Sequence, residues 1–270
     1  MSSQPETVIA VKDLVVRYGE RAVLDGVSFE VGRGEIFVIL GGSGSGKTTL
    51  IRTLVGLIAP AEGSIRIEGV DCTAMSYDAL IELRRKIGVC FQGAALFNSM
   101  SVADNVALPL REHTDLEEST IDIMTRIKLE LVGLSGFEDY LPAELSGGMR
   151  KRAGIARAMA MDPQIIFYDE PSAGLDPIVA AGIDNLIRKL QQTFELTSVV
   201  VTHEMESVKL IADRVCVLQR GRVAGIGTLA ELEASDHPYI QQFFARRPDD
   251  DSSEESSYAR SLTGTDSLER

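Results

Sequence analysis

The segment GGSGSGKT, residues 41–48, follows the apolar run IFVIL and fits the pattern G-x-x-x-x-G-K-[ST] through Gly41, Gly46, Lys47 and Thr48. Glycines let a backbone curl until successive N–H groups point inward at an anion. Gly41, Gly42, Ser43, Gly44, Ser45 and Gly46 are therefore expected to wrap the phosphates of a nucleotide such as ATP. Lys47 would reach the outer phosphates, and Thr48, with Thr49 beside it, would offer a hydroxyl to Mg²⁺. The second chemical segment is IIFYDEP, residues 165–171, an apolar run that ends in two carboxylates. Acids at the carboxyl end of a buried strand project into the crevice where α/β sheets bind ligands. That placement predicts Asp169 as a holder of Mg²⁺ and Glu170 as the base that polarises a water for attack on a γ-phosphate.

Three further residues carry weaker signals. His203 closes TSVVVTH and Gln92 closes KIGVCFQ, so both fall at strand ends on the same expected edge. A lone strand-end histidine is more often structural than catalytic, and the glutamine could reach either the metal or the attacking water. Tyr18, in VVRYGE, could stack on a base or simply pack beside its turn. A second glycine pair stands in ELSGGMRKRAGIARAMAMDP, residues 144–163. There Ser146 suits a helix N-cap, and Gly147 and Gly148 leave N–H groups open at the positive helix end. The chain thus holds two anion-binding helix starts about a hundred residues apart.

The elements that must position these groups can be read from periodicity. Apolar, β-branched runs recur at 8–16, 35–40, 86–91, 164–169, 197–203 and 213–219, several of them apolar throughout, as strands covered on both faces are. Helical patterns lie between most of them, giving the β-α-β alternation of an α/β fold with a mainly parallel sheet. The stretch to about residue 34 reads as a small antiparallel sheet. Residues 93–162 contain no convincing strand and read as an inserted helical subdomain, with Ile121, Met124, Ile127 and Leu131 on one helix face. The expected organisation is a core with its antiparallel sheet over 1–92 and 163–235, helices over 93–162, and a C-terminal helix and acidic tail over 236–270. In the helix, Tyr239, Ile240, Phe243 and Phe244 are too apolar to stand free, and should pack on the core or on a partner.

Composition excludes several classes. The 270 residues carry a net charge of −13, which argues against a general nucleic-acid binder. Part of this is local, since the 22 residues after Pro248 hold seven acids against two arginines. Cys72, Cys90 and Cys216 form no pair at metal or redox spacing and fit packed, reduced thiols. No apolar run reaches the length of a membrane span, and none follows a basic start as in a secretory leader. The chain should be soluble unless a partner holds it at a membrane.

In their order, RYG, GGSGSGKT, CFQ, LSGGM, IIFYDEP, SAGLD and VVVTH resemble the nucleotide-binding subunit of ATP-binding cassette (ABC) transporters over about residues 8–235. The resemblance implies a P-loop NTPase core, and a role for each site residue. Tyr18 would stack on adenine, Gln92 would couple Mg²⁺ to the transport partner, Asp176 would lie at a dimer contact, and His203 would hold the γ-phosphate beside Glu170. It also answers the duplicate helix start. In this family two copies pack head to tail, so Ser146, Gly147 and Gly148 of one would cover the ATP on the loop of the other. Two positions depart from the usual pattern: Met149 replaces a glutamine, and PSAGLDP replaces PTSALDP. Neither removes a charged or metal-binding group.

The segment FQGAALFNSMSVADNVALPLREHT, residues 91–114, with LSGGMRKRAG, is similar to the ATPases of the Mla (maintenance of lipid asymmetry) phospholipid transporters. That likeness implies a homodimer on MlaE-like integral permeases, with an MCE-domain protein (MlaD-like) beyond the membrane and a STAS-domain protein (MlaB-like) alongside. The location implied is the cytoplasmic face of a bacterial inner membrane. An ATPase of a small-solute importer, amino-acid type, is the alternative, because the catalytic motifs do not distinguish cargo. A soluble ABC protein is a further one, although such chains usually fuse two cassettes or carry long coiled-coil insertions. In the acidic tail, Tyr258 and Leu262 are candidates to dock on a neighbouring subunit.

Overall fold

The computed structural model describes residues 6–73 and 75–247 of the chain. Its centre is a six-stranded sheet in the order β10-β9-β3-β8-β7-β6. The strands are β3 (Ile36–Leu40), β6 (Ile87–Cys90), β7 (Ile165–Asp169), β8 (Thr197–Thr202), β9 (Arg214–Gln219) and β10 (Arg222–Gly227). Every pairing is parallel except the hairpin of β9 with β10.

Strand β3 shows why the apolar runs are continuous. Ile36, Val38 and Leu40 enter one core with Ile166, Tyr168, Val200 and Val217, while Phe37 and Ile39 enter the other with Phe167, Val199, Val201 and Leu218. Side chains alternate between faces, so a strand covered on both must be apolar at every position. The first core lies against helices α5 (Gly147–Ala158), α6 (Pro177–Phe194) and α7 (Met205–Ile211). The second holds helix α1 (Lys47–Leu54) and an antiparallel sheet in the order β2-β1-β4-β5. That sheet comprises β1 (Thr7–Tyr18), β2 (Arg21–Gly32), β4 (Glu62–Ile67) and β5 (Val70–Asp71). Its last two strands, and β10, were not apparent as apolar runs. EGSIRI alternates at only three positions, and β5 is two exposed residues.

Residues 91–164 are helix, turn and loop, with α3 (Val102–His113), α4 (Glu118–Leu131) and α5 in sequence. The face expected for α4 needs correcting. Ile121 is buried, but Ile127 is 49% exposed, and Thr125, Lys128 and Leu129 are buried instead. Successive i+3 steps each fall about 60° short of a full turn, so a stripe built from them rotates out of the core. Asn105, fully buried in α3, accepts from the Phe97 N–H and donates to the carbonyls of Phe97, Met100 and Ser101, which fixes the loop leading into the helices.

Helices α2 (Tyr77–Arg85), α8 (Leu229–Glu233) and α9 (Pro238–Phe244) complete the order. Helix α9 packs on the chain's own core, with Ile240 buried and Tyr239, Phe243 and Phe244 partly so. Tyr258 and Leu262, like the rest of the acidic tail, lie outside the described residues. Cys90 and Cys216 are buried and Cys72 is half-buried, and all three are free thiols.

Candidate active site

Parallel register brings the chemical residues to one edge. Leu40 pairs with Thr202 across β3–β8, and Asp169 with Val201 across β7–β8. The 41–46 loop, the 169–170 acids and His203 therefore leave the sheet side by side, at its carboxyl end.

The loop between β3 and α1 needs its glycines for space and for backbone sign. A Cβ on Gly41 would lie 2.4 Å from the Leu218 carbonyl oxygen and 2.6 Å from Ser45 Oγ. Gly46, the residue before α1, has φ +105°, and a Cβ there would stand 2.8 Å from Leu24. Lys47 Nζ turns back over the loop and donates to the carbonyls of Gly41 at 2.7 Å and Gly42 at 2.9 Å. Burial pulls its pKa below the ordinary lysine value, while the carboxylates of Glu170 and Asp169 oppose that shift. Ser43, Gly44 and Thr48 are exposed, Gly42 and Thr49 half-buried, and Ser45 is buried with an unpartnered hydroxyl oxygen.

Asp169 is buried, and its Oδ1 has no hydrogen-bond partner. Burial, reinforced by the neighbouring Glu170 charge, raises its pKa against the pull of Arg52, Lys47 and Lys151. Glu170 adopts a left-handed backbone with φ +50°, unusual for a non-glycine residue. Its N–H donates to Val201 O at 2.9 Å, and its carbonyl accepts from Lys151 Nζ at 2.9 Å. Its carboxylate accepts a shared hydrogen bond from His203 Nδ1, 2.9 Å from each oxygen. The histidine side chain remains 55% exposed, so the pair opens to one side.

Among the described residues, no direct hydrogen bond joins the other expected residues to this cluster. Gln92 is exposed in the turn after β6, and its carbonyl is bound by Lys151. Tyr18 ends β1 at 52% exposure. Ser146 is the N-cap of α5 and accepts from Met149 N–H, as its residue type predicts. A Cβ on Gly148 would stand 2.5 Å from Val179 Cγ1, so α5 and α6 require a glycine there. Asp176 caps α6 by accepting from Ile178 and Val179 N–H groups, both at 3.1 Å. Among the described residues no hydrogen bond or ion pair joins Ser146, Gly147 or Gly148 to residues 41–48.

Two site neighbours escaped the sequence reasoning. Lys151 was one basic residue in the run MRKR, and only the burial of its helix face marks it out. Tyr239 in α9 accepts a hydrogen bond from Gly42 N–H at 3.3 Å, a contact across 197 positions with no local signature.

Residues 24–173, more than half of the chain, match the family model described as ABC transporter. The chain belongs to the ABC transporter family. Solved ABC proteins agree in fold. An ATP-binding cassette in a dimeric post-hydrolysis state with ADP and phosphate is 31% identical, with a TM-score of 0.75, over 82% of this chain and 98% of that one. The cbiO1 protein of Clostridium perfringens, part of an ABC transporter complex, is 31% identical with a TM-score of 0.78, over 90% and 96% of the two chains. Among curated relatives, the intermembrane phospholipid transport system ATP-binding protein MlaF of Haemophilus influenzae is 41% identical over 90% of this chain and 92% of its own. The MlaF of Escherichia coli K12 is 40% identical over 90% of each. The probable ribonucleotide transport ATP-binding protein mkl of Mycobacterium leprae is 43% identical, over 88% of this chain and 69% of its own. As an ABC ATPase domain the chain binds and hydrolyses ATP. No described helix is long and apolar enough to cross a membrane.

Proposed function

We propose that this chain is the ATP-hydrolysing subunit of a phospholipid transporter, held by membrane partners at the cytoplasmic face of a bacterial inner membrane. The observation that carries the reading is the near end-to-end correspondence with the MlaF proteins, over 92% of the Haemophilus relative against 69% of the mkl relative. The functional division is a core over 1–92 and 163–235, a helical subdomain over 93–162, and a C-terminal segment over 236–270. Its partners would be a second copy of itself, an integral permease, an MCE-domain protein and a STAS-domain protein.

In this reading the N–H groups of 41–46, with Lys47, Thr48 and Thr49, hold the phosphates, and Tyr18 faces the base. Glu170 takes a proton from water as the water oxygen bonds to the γ-phosphorus, and the bridging P–O bond breaks toward ADP. His203, hydrogen-bonded to the Glu170 carboxylate, would lie beside the γ-phosphate under attack. Residues fit for Mg²⁺ are present: the buried Oδ1 of Asp169 has no hydrogen-bond partner and could ligate a cation, with Thr48 and Gln92 as the further candidates. No described group of three or more His, Cys, Asp or Glu residues suits a metal, in keeping with an ion that takes most of its ligands from phosphate and water. When bound, Mg²⁺ would neutralise charge on the β- and γ-phosphates. Ser146, Gly147, Gly148 and Asp176 would complete the site of a second copy; among the described residues no hydrogen bond or ion pair joins the Ser146 turn to the chain's own loop.

The test is reconstitution with the permease in liposomes carrying labelled phospholipid. ATP-dependent movement of the label supports the reading. ATP consumption that moves an amino acid or a ribonucleotide, and no lipid, would refute it.

A further inference from the structure

Helix α5 does more than present the Ser146 turn. Lys151, Gly154 and Arg157 follow at three-residue steps along the helix, and all three meet the stretch from Gln92 to Ala95. Ala94 and Ala95 hold left-handed conformations, with φ +58° and +50°. The guanidinium of Arg157 donates to the Ala94 carbonyl at 2.9 Å and the Ala95 carbonyl at 2.7 Å. A Cβ on Gly154 would lie 3.0 Å from Ala94 Cβ, so the helix rests directly on the turn. Lys151 reaches further: its ammonium donates to the Gln92 carbonyl and also to the Glu170 carbonyl at 2.9 Å.

Lys151 is 7% exposed. A cation so placed is costly unless paired and hydrogen-bonded. Here two carbonyls and the charges of Glu170, Asp169 and Glu204 offset part of that cost, while burial still pulls the ammonium's pKa below the ordinary lysine value. The carbonyl it binds belongs to the residue whose left-handed backbone must be held in place by its surroundings. We propose that Lys151 is a positioning residue for hydrolysis. By bridging the Gln92 and Glu170 carbonyls, it fixes the strained Glu170 backbone and so aims the carboxylate, and it links that aim to the helix carrying the Ser146 turn. A shift of α5 would then reach Glu170 through one side chain. This rests on Glu170 acting as the base.

The variants are Lys151→Met, which keeps the stem without a donor, and Lys151→Arg, which restores donors. In the full chain with Mg·ATP, Lys151→Met should lower kcat at least tenfold with KM for ATP within about twofold, the pattern of an interaction that acts in the transition state. Lys151→Arg should recover most of the rate. In nucleotide-free protein, amide exchange should quicken at 91–95 and 170–173 in the Met variant, and return toward wild type in the Arg variant. If the Met variant does not fold, Lys151→Gln, too short to bridge both carbonyls, is read by the same measures. An unchanged kcat, or exchange raised uniformly over the chain, overturns the proposal. Glu170→Gln is measured alongside: if it retains turnover, the assignment of Glu170 fails, whereas a dead Glu170→Gln with a fully active Lys151→Met defeats the Lys151 proposal alone.

Discussion

His203 Nδ1 stands 2.9 Å from each carboxylate oxygen of Glu170, and the two residues follow neighbouring parallel strands. The pair holds the carboxylate beneath a solvent-open ring, at the edge where the phosphate loop also leaves the sheet. Glu170→Gln keeps the shape and removes the proposed base. It should retain ATP binding, lose about 10²–10⁴-fold in kcat, and accumulate as a nucleotide-bound dimer on gel filtration. Retained turnover would remove Glu170 from the mechanism.

Lys47 presents the opposite charge. Its ammonium is buried against the loop carbonyls and faces both Asp169 and Glu170. Lys47→Ala deletes the cation on which the outer phosphates would depend. Losing one partner of a buried charge pair costs about 2–5 kcal/mol. Titration calorimetry should show that loss for ATP, and an affinity unchanged from wild type would remove Lys47 from phosphate binding.

Much of this edge was legible in the sequence, because each motif follows directly on an apolar run, and parallel register then aligns the run ends. GGSGSGKT after IFVIL and DE after IIFY could hardly fall elsewhere. What was not legible depends on contacts between distant backbones. Lys151 binds the carbonyl of Gln92, 59 positions away, and a carbonyl carries no residue identity to read. Tyr239 meets the loop through an amide in the same way. The outward turn of Ile127 was hidden because a helix face drifts over ten residues, and only packing partners decide where the stripe lies.

A buried acid that takes no part in the proposed chemistry gives a pH test. Asp184 in α6 accepts from Ser207 Oγ at 2.7 Å, Ser207 Oγ lies 3.1 Å from Ser172 Oγ, and the second Asp184 oxygen has no partner. Burial raises its pKa, against the Ser207 hydrogen bond. A carboxyl whose folded pKa lies above its unfolded value of about 3.9 stabilises the fold fully below that value, and loses the contribution as pH rises through the folded value. Asp184→Asn does not titrate and still offers an acceptor to Ser207. Its Tm relative to wild type should increase from pH 4 to pH 8. A variant-minus-wild-type Tm difference that stays constant or falls as pH rises would contradict the burial of a charged group here.

The central claim is that hydrolysis needs the loop of one copy and the Ser146 turn of another. Ser146→Arg places bulk and charge on the exposed turn at a cost to the cap of about 1 kcal/mol. Unlike a change at Gly148, it spares the contact with Val179. Lys47→Ala and Ser146→Arg chains should each be inactive alone. In a mixed dimer the Ser146→Arg chain supplies an intact loop and the Lys47→Ala chain an intact turn, so one composite site is whole. The decisive measurement is the ATPase rate of the two inactive variants mixed in equal amounts. The account predicts that activity returns, up to about a quarter of wild type if chains pair at random and each composite site works independently, one active site being present in half of the dimers. A mixture as inactive as its components, with mixed dimers demonstrably formed, would contradict it.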